Sequence, residues 1–256
     1  MLRPRIIPCL LVRDKGLVKT VKFKEGKYVG DPINAVKIFN EKEVDELMIM
    51  DIDATAEQRE PDYELIKKLA LESRMPLCYG GGVKTADQVR KIVSLGAEKV
   101  AVSSIAIENI GVLKEMCIAV GSQSVVVVID VKKKLLGGYQ VVTHNAKKNT
   151  KKKLNQYIEK LNEIGIGEIV INSVDNDGVM KGYDYKLIDQ LRNLTTIPMT
   201  ILGGAGELSH VQESVDRYGV IGVAAGSLFV FKGKYKAVLI NYPSREKKNE
   251  IIKKFL

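Results

Sequence analysis

Short apolar runs alternate with amphipathic stretches eight times along this chain, and this alternation constrains its fold more than any other feature. Apolar runs of this length are typical of buried strands, and the stretches between them have the apolar spacing of helices. The predicted strands are Arg5–Leu11, Glu46–Ile52, Pro76–Tyr79, Lys99–Ser103, Ser124–Val131, Glu168–Ser173, Pro198–Leu202 and Val220–Ala225. Eight strand–helix units predict an α/β fold, a closed (β/α)8 TIM barrel ringed by helices. The alternative is an open doubly wound sheet, which usually carries a glycine fingerprint after its first strand; this chain has none there.

Capping residues mark the predicted helix ends. Asp31 precedes Pro32, a pair typical of an N-cap and a first helical position. Thr85 is a predicted N-cap, and Gly165 is a predicted helix stop. The segment LLGGYQVVTH after the fifth strand interrupts the alternation of strands and helices. Its pattern predicts a hairpin inserted in a loop.

The second half of the chain repeats the first. The motif GGGV at Gly80–Val83 and the motif GGAG at Gly203–Gly206 are 123 positions apart, and ELMIMDID from Glu46 and EIVINSVD from Glu168 are 122 positions apart. Several matches at one offset predict a duplicated half-barrel. We therefore expect one barrel domain, residues 1–256, made of half-barrels at approximately 1–122 and 123–256.

Glycine-rich segments follow the third and seventh predicted strands, on the barrel face where TIM barrels place their chemistry. Gly81–Gly82 and Gly203–Gly204 would let backbone N–H groups approach an anion closely. Ser104 and Ser227 stand at predicted helix starts, where the helix dipole favours phosphate. Any one segment alone is better explained by a tight turn, but the repeated pair favours two phosphate sites on opposite sides of the barrel mouth. This pattern predicts a long ligand with a phosphate at each end.

Carboxylates also lie at the predicted strand ends. Asp130 ends the run VVVVID and would serve either as a general acid/base or as an acceptor for loop N–H groups. The phosphate sites beside it favour catalysis. Asp51 and Asp53 follow the second strand, and DNDG at Asp175–Gly178 is typical of a turn. Lys19 would either neutralise a phosphate or lie in solvent, where most lysines are found.

Composition excludes several classes of function. The net charge of +9 is concentrated in lysine clusters at positions 132–134, 147–148 and 151–153, without the interleaved aromatic residues that nucleic-acid stacking needs. A solvated or phosphate-attracting loop is therefore favoured over a nucleic-acid groove. No apolar run could span a membrane, no secretion signal is recognisable, and the 3 Cys and 2 His have no metal-binding spacing. We expect a cytoplasmic protein with no metal, no cofactor, and neither a nucleic-acid nor a membrane partner.

Nine short motifs carry a resemblance to a known family. They are RIIPCL, GDP, DEL…DI, GGGV, GSQ, KKNT, GEI, DNDG…GYD and GGAG…AAGS. Together they cover nearly the whole chain, which resembles the cyclase subunit of imidazole glycerol phosphate synthase. The resemblance implies a duplicated half-barrel with a separate glutaminase subunit docked at its bottom. Ammonia from the glutaminase would pass through the barrel to a bis-phosphorylated aminoimidazole precursor, giving imidazole glycerol phosphate and a carboxamide nucleotide.

The resemblance also implies roles for residues at the barrel mouth. Those implied to bind the substrate or its phosphates are Lys19, Gly81, Gly82, Ser103, Ser104, Asp177, Gly178, Gly203, Gly204, Ala225, Gly226 and Ser227. The family uses two aspartates as an acid/base pair; the second maps to Asp130, but the first maps to Leu11. Because leucine carries no proton, the loss is expected to cost at least the roughly 10²–10⁴-fold that general acid–base catalysis contributes. Leu202, Ser103 and Cys78 are further departures, from a small hydroxyl residue, an asparagine and a threonine.

At the bottom of the barrel the family pattern is retained. The resemblance implies an ammonia gate and a glutaminase-facing surface formed by Arg5, Glu46, Lys99, Glu168, Glu98 and Gln123. Of these, Glu98 replaces an aspartate of the family. The alternative is a cluster of salt bridges with no role in ammonia transport, because buried charges must be paired whether or not they form a gate.

One subgroup of the family is especially similar, through LL in the first strand, GLVKT and YVGDPINAVKIFNEKEVDEL. It is associated with surface-sugar biosynthesis, together with a glutaminase homologue and an amidotransferase that installs an amidino group on a sugar. This implies an ammonia-delivery subunit with weak or absent cyclase activity. Two alternatives stay open: an ordinary cyclase in which Asp51 or Asp53 replaces the missing acid, and a non-catalytic scaffold that senses a phosphorylated ligand. We also expect the loop Lys147–Lys153 to face the mouth and attract an acidic or phosphorylated ligand or an acidic partner; a solvated charge run is the alternative.

Overall fold

The computed structural model describes residues 3–256 as alternating strands and helices. The strands are β1 (Arg5–Arg13), β2 (Gly16–Thr20), β3 (Gly26–Gly30), β4 (Leu47–Asp51), β5 (Leu77–Gly80), β6 (Lys99–Val102), β7 (Val125–Lys133), β8 (Tyr139–Thr143), β9 (Lys148–Asn149), β10 (Glu168–Ser173), β11 (Met199–Leu202), β12 (Gly222–Ala225), β13 (Phe231–Lys232) and β14 (Ala237–Val238). The helices are α1 (Pro32–Glu41), α2 (Tyr63–Glu72), α3 (Ala86–Ser94), α4 (Ser104–Glu108), α5 (Gly111–Val120), α6 (Leu154–Ile164), α7 (Tyr185–Arg192), α8 (Leu208–Tyr218), α9 (Ser227–Val230) and α10 (Arg245–Ile251). None of the helices in residues 3–256 is both long and apolar enough to cross a membrane.

Eight parallel strands close into a barrel. Strand β1 pairs with β4 on one side and with β12 on the other. The ladder continues from β4 through β5, β6, β7, β10 and β11, and β11 pairs with β12 to complete the circle. Each of the eight predicted strands overlaps one of these eight. The predicted TIM barrel is therefore confirmed, and an open doubly wound sheet is excluded.

Apolar side chains pack on both faces of the barrel wall. The outer layer fills the space between the strands and the helices. The inner layer is formed by Ile7, Cys9, Met48, Cys78, Ala101, Val126, Val128, Val170 and Ala224. Strands that are buried on both faces have continuous apolar sequences instead of alternating ones. This explains why the strands were visible in the sequence as uninterrupted runs.

The predicted helix ends are confirmed by their capping geometry. Asp31 caps α1 by accepting a hydrogen bond from the backbone N–H of Asn34 at 2.8 Å. Thr85 forms a capping box with Gln88 at the start of α3. Gly165 ends α6 in the left-handed conformation, with a φ of 72°. Each capping residue satisfies backbone groups that the helix itself cannot pair.

Two barrel strands extend beyond the apolar runs that predicted them. Strand β1 continues to Arg13 and pairs antiparallel with β2, and β7 continues to Lys133 and pairs antiparallel with β8. The antiparallel partner satisfies backbone groups outside the barrel wall, so the strand does not stop where the apolar run stops. The hairpin predicted after the fifth strand is confirmed as β7–β8. Both hairpins rise from the carboxyl ends of barrel strands, which is the face of the mouth.

Candidate functional site

A cavity of about 330 Å³ opens at the carboxyl ends of the barrel strands. The sequence-predicted site residues that line it are Leu11, Lys19, Gly81, Gly82, Ser103, Ser104, Asp130, Asp177 and Gly226. A small recess beside it is lined by Lys19, Asp177, Gly178, Gly203, Gly204, Ala225, Gly226 and Ser227. The fold thus brings every mouth residue named from the sequence to one end of the barrel, although these residues span most of the chain.

Asp130 reaches the cavity from the end of the β7 apolar run. The side-chain amide of Asn172 on β10 donates a hydrogen bond to its Oδ1 at 2.9 Å, and no cationic side chain within residues 3–256 forms a salt bridge with it. Burial raises the pKa of Asp130 to about 7; the Asn172 hydrogen bond opposes this rise and the charge of Asp177 adds to it. A carboxyl group with this pKa is close to half protonated at neutral pH, so it can either donate or accept a proton.

Asp51 and Asp53 are already engaged in local structure. Asp51 Oδ1 accepts hydrogen bonds from the backbone N–H groups of Asp53 at 3.1 Å and Ala54 at 3.0 Å. Arg59 forms a salt bridge with Asp51 Oδ2 at 3.2 Å, and Arg13 forms one with Asp53 at 2.6 Å. These carboxylates hold the loop after β4 in place. Neither carboxylate is free of a salt bridge.

The wall around Leu11 is apolar. Leu11 on β1 lies in register with Met50 on β4, and both side chains line the cavity. Leu202 on β11 also lines it, in register with Asn172. Because β1 and β7 are separated by three strands in either direction around the eight-stranded wall, Leu11 and Asp130 lie on opposite sides of the barrel. The position that the repeat pairs with Asp130 thus presents a methyl-bearing side chain to the cavity.

Lys19 is buried, with only 6% of its surface exposed. Its ammonium group contacts Asp177 Oδ1 at 2.8 Å and Oδ2 at 3.1 Å, and it donates to the backbone oxygen of Thr20 at 2.9 Å. The alternative that Lys19 lies in solvent is therefore wrong. The interpretation of DNDG as a turn alone is also incomplete, because Asp177 is the partner of Lys19 while Gly178 supplies the turn with a φ of 71°.

Gly81 and Gly203 directly follow β5 and β11, at positions where no side chain fits. Their φ angles are +124° and +91°. A Cβ atom on Gly81 would lie 2.7 Å from Cβ of Asp51, and one on Gly203 would lie 2.6 Å from the carbonyl oxygen of Ser173. These two glycines therefore let the chain pass close to the neighbouring strand end.

Serines at the mouth also lie where the sequence predicted. Helix α4 begins at Ser104 and helix α9 begins at Ser227. Ser103 Oγ and Asn172 Oδ1 are buried and have no hydrogen-bond partner within residues 3–256. Buried polar atoms are rarely left unpaired. Both atoms belong to residues that line the cavity, which suits contact with a polar ligand.

Four charged side chains form a closed ring at the opposite end of the barrel. Glu46 pairs with Arg5 and with Lys99, the latter at 2.8 Å; Glu168 pairs with Arg5 at 2.7 Å and with Lys99 at 2.8 Å. Each of these residues lies at or just before the first residue of a barrel strand. We call Arg5, Glu46, Lys99 and Glu168 the charge ring.

The charge ring is neutral and mostly buried. Although burial alone would raise the pKa of Glu168, the charges of Arg5 and Lys99 outweigh it and hold that pKa below its usual value. Burial alone would lower the pKa of Lys99, but Glu168 and Glu46 raise it. Glu168 and Lys99 therefore stay ionised at neutral pH. The side chains of Arg5 and Lys99 are 25% and 19% exposed, whereas those of Glu46 and Glu168 are 3% and 4% exposed.

The sequence did not indicate one further member of this end. The Thr200 hydroxyl donates to Glu168 and lies 3.5 Å from Arg5 Nη2; a threonine in an apolar strand gives no signal of such a role. Glu98 is exposed, and its carboxylate accepts a hydrogen bond from the backbone N–H of Leu77 at 2.6 Å. Gln123 is exposed in the short turn before β7. Both lie on the same end as the charge ring.

The lysine-rich loop lies beside the mouth. His144 and Asn145, just before it, line the cavity, and the Asn145 amide donates to the backbone oxygen of Ile52 at 2.9 Å. Lys148 forms a salt bridge with Glu108 of α4 at 2.7 Å. The lysines from 147 to 153 are exposed and do not line the cavity itself. Residues 3–256 hold no group of three His, Cys, Asp or Glu side chains placed to bind a metal ion.

Comparison with known proteins gives one consistent match. The profile of the family described as histidine biosynthesis protein matches residues 5–236. A Leptospira borgpetersenii protein, provisionally named imidazole glycerol phosphate synthase subunit HisF, is 54% identical over 95% of this chain and 96% of its own length. A Pseudomonas aeruginosa protein, provisionally named subunit hisF2 of the same synthase, is 50% identical over 96% of this chain and 98% of its own length. The imidazole glycerol phosphate synthase subunit HisF of Natranaerobius thermophilus is 37% identical over 96% of this chain and 98% of its own length.

Proposed function

Because this chain belongs to the histidine biosynthesis protein family, as a HisF-like cyclase subunit of imidazole glycerol phosphate synthase, we propose that it conducts ammonia from a glutaminase subunit to the barrel mouth for a sugar amidation, with weak or absent cyclase turnover. One observation carries the proposal. The ammonia end keeps its complete charge ring, while the mouth has Leu11 across the barrel from Asp130. The chain therefore keeps the four charged groups that ammonia transport would use, and it lacks one of the two acids that cyclisation would use.

Ammonia would enter through the charge ring. Arg5 and Lys99 are its more exposed members, so a docked glutaminase could displace one of their side chains while the two buried carboxylates stay in place. Beyond the ring, the barrel interior is lined by small apolar residues that include Cys9, Ala101 and Ala224. Such an interior disfavours ammonium, which would lose its hydration, and admits neutral ammonia. Glu98 and Gln123 would belong to the glutaminase-facing surface.

A phosphorylated ligand would bind at the mouth. One phosphate would lie in the recess formed by Gly203, Gly204 and Gly226, where it would compete with Asp177 for the ammonium group of Lys19. The second phosphate would lie at the equivalent glycines of the first half, beside Ser104. Asp130 would hold or release a proton at the reacting group between them. The apolar surface of Leu11 cannot supply the second proton transfer.

An ordinary cyclase is the second candidate. The raised pKa of Asp130 supports it, because that group can still transfer a proton near neutral pH. The engagement of Asp51 by Arg59 and of Asp53 by Arg13 argues against it, because within residues 3–256 every cavity-lining acid other than Asp130 forms a salt bridge. A scaffold that only senses a phosphorylated ligand is the third candidate and needs neither Asp130 nor the charge ring.

The test is a reconstitution with the glutaminase subunit and a sugar amidotransferase. Glutamine-driven amidation should proceed with the wild-type chain. The variant Lys99→Met should reduce glutamine-driven amidation while leaving amidation by added ammonia unchanged. Lys67→Met on α2 is the matched control, since Lys67 is exposed on a helix and is not a member of the charge ring. Equal glutamine-driven rates for wild type and Lys99→Met, with both chains folded and bound to the glutaminase, would refute transport through the ring.

A further inference from the structure

The turn that joins β7 to β8 presents two leucines to solvent. Leu135 and Leu136 are fully exposed. They are the central residues of a turn in which the backbone N–H of Gly137 donates to the oxygen of Lys134 at 3.2 Å, and Gly137 has a φ of +90°. A three-residue hairpin loop of this kind needs the glycine but places no apolar requirement on the two residues before it. Polar residues usually fill such positions, so the fold does not explain these leucines. We call Leu135–Leu136 the apex.

The hairpin that carries the apex is held in place by hydrogen bonds and a salt bridge. The backbone N–H of Lys133 donates to Asp175 at 2.6 Å, and the Lys133 ammonium group pairs with Asp184 at 3.0 Å. The hydroxyl of Tyr139 donates to the same Asp184 at 3.0 Å. Leu135 is five positions after Asp130 along a largely extended chain, so the apex lies up to about 16 Å beyond the mouth carboxylate. The two leucines are thus held outward before any partner binds.

The chain segment that contains the apex is strongly basic in sequence. Residues 131–158 contain eight lysines and no aspartate or glutamate. Two of them pair with carboxylates, Lys133 with Asp184 and Lys148 with Glu108. The others form no salt bridge with any residue of the described chain, and they are Lys132, Lys134, Lys147, Lys151, Lys152 and Lys153. Nearly the whole net charge of the protein therefore lies on this one segment.

We propose that the apex docks on an anionic lipid surface, with the leucines inserted at the acyl-chain boundary and the flanking lysines, Lys132 and Lys134, on the headgroup phosphates. Apolar side chains flanked by lysines are the composition of interfacial membrane contacts, whereas lysine is depleted from protein–protein interfaces. The projecting apex can also insert into a fluid lipid surface, which needs no preformed complementary pocket. The sequence predicted no membrane partner because it has no spanning run, but a surface contact needs none. This inference is independent of the proposed sugar amidation.

The test uses the full chain and vesicles of two compositions, phosphatidylcholine alone and phosphatidylcholine with phosphatidylglycerol at roughly one lipid in three, in a sedimentation assay. Wild type should bind the anionic vesicles at low ionic strength and release as salt rises. The double variant L135S/L136S should bind them about 10-fold or more weakly, since two apolar side chains are lost. Leu71→Ser on α2 is the matched control, because Leu71 is also exposed but on another element, and it should bind as wild type does.

A charge variant tests the lysines separately. K132E/K134E should weaken binding to anionic vesicles, and K67E/K68E on α2 should weaken it much less. Thermal unfolding of L135S/L136S should match wild type, because the turn keeps its glycine. The proposal is overturned if wild type does not bind anionic vesicles, or if L135S/L136S binds them as tightly as wild type, which would leave only adsorption through lysines. It is equally overturned if the wild-type protein does not bind vesicles but forms an oligomer that L135S/L136S does not form.

Discussion

Replacing Asp130 by asparagine should stabilise the protein at neutral pH and leave it unchanged in mild acid. The pKa of Asp130 is raised from its ordinary 3.8 to about 7, mainly by burial. The folded state therefore binds a proton that the unfolded state releases between about pH 4 and pH 7. The free energy of unfolding of the wild type consequently falls as pH rises through this window, and the full loss is present above pH 7.

The magnitude follows from the shift in pKa. Each pKa unit corresponds to about 1.4 kcal/mol, so the shift sets a ceiling of about 4 kcal/mol. We expect a gain of about 1–3 kcal/mol for Asp130→Asn at pH 8, because the side chain borders the cavity and some of its charge is solvated. The carbonyl oxygen of the introduced asparagine would still accept the hydrogen bond from Asn172, so that contact is kept.

Urea unfolding of wild type and Asp130→Asn at pH 5, 6, 7 and 8 measures this difference. The stabilisation by Asp130→Asn should be small at pH 5 and should grow steadily up to pH 8. Asp87→Asn is the control, since the Asp87 side chain is 88% exposed and should show no such trend. A difference that stays flat from pH 5 to pH 8, or an Asp130→Asn variant that is less stable than wild type at pH 8, would refute the argument that Asp130 titrates near neutrality.

Three other predictions follow from the site. Leu11→Asp should raise cyclase turnover with added ammonia by about 10-fold or more, toward the roughly 10²–10⁴-fold of general acid–base catalysis; no gain in a folded variant would mean that more than the acid is missing. Lys19→Ala should lower the free energy of unfolding by about 3–5 kcal/mol, because it leaves the buried Asp177 carboxylate unpaired. The control Lys247→Ala removes an exposed salt bridge and should lower the free energy of unfolding by about 0.5 kcal/mol or less. Equal losses for the two variants in urea unfolding would contradict this prediction. Finally, a titration across a salt series should show that the affinity for a phosphorylated ligand falls as salt rises, because the exposed lysines from 147 to 153 attract it; constant affinity would exclude that attraction.

The barrel could be predicted from the sequence because its strands are buried on both faces. Eight apolar runs of strand length leave few alternatives, and their carboxyl ends define the mouth before any coordinates are known. Asp130 could be singled out for the same reason, as a carboxylate that interrupts an apolar wall. The strand limits were less accurate, since the antiparallel partner β8 extends β7 as far as Lys133.

Contacts between distant parts of the chain could not be predicted from the sequence. Lys19 is buried because Asp177, 158 positions away, is its partner, and no local pattern indicates this pairing. Thr200 contacts Glu168 from the next strand, again without a signal in its own neighbourhood. The engagement of Asp51 by Arg59 depends on a loop conformation that composition does not specify. Such pairings follow from the closed barrel and not from any single segment.

Cyclase turnover with supplied ammonia distinguishes a chain that conducts ammonia but has impaired cyclisation from an ordinary cyclase. The bis-phosphorylated aminoimidazole precursor and added ammonia would be given to this chain and, under the same conditions, to a HisF subunit that carries both aspartates. We expect imidazole glycerol phosphate to form at least about 100-fold more slowly with this chain, because Leu11 provides no acid, and we expect normal stimulation of glutamine hydrolysis in the glutaminase subunit. Equal cyclase turnover by the two proteins would contradict this expectation.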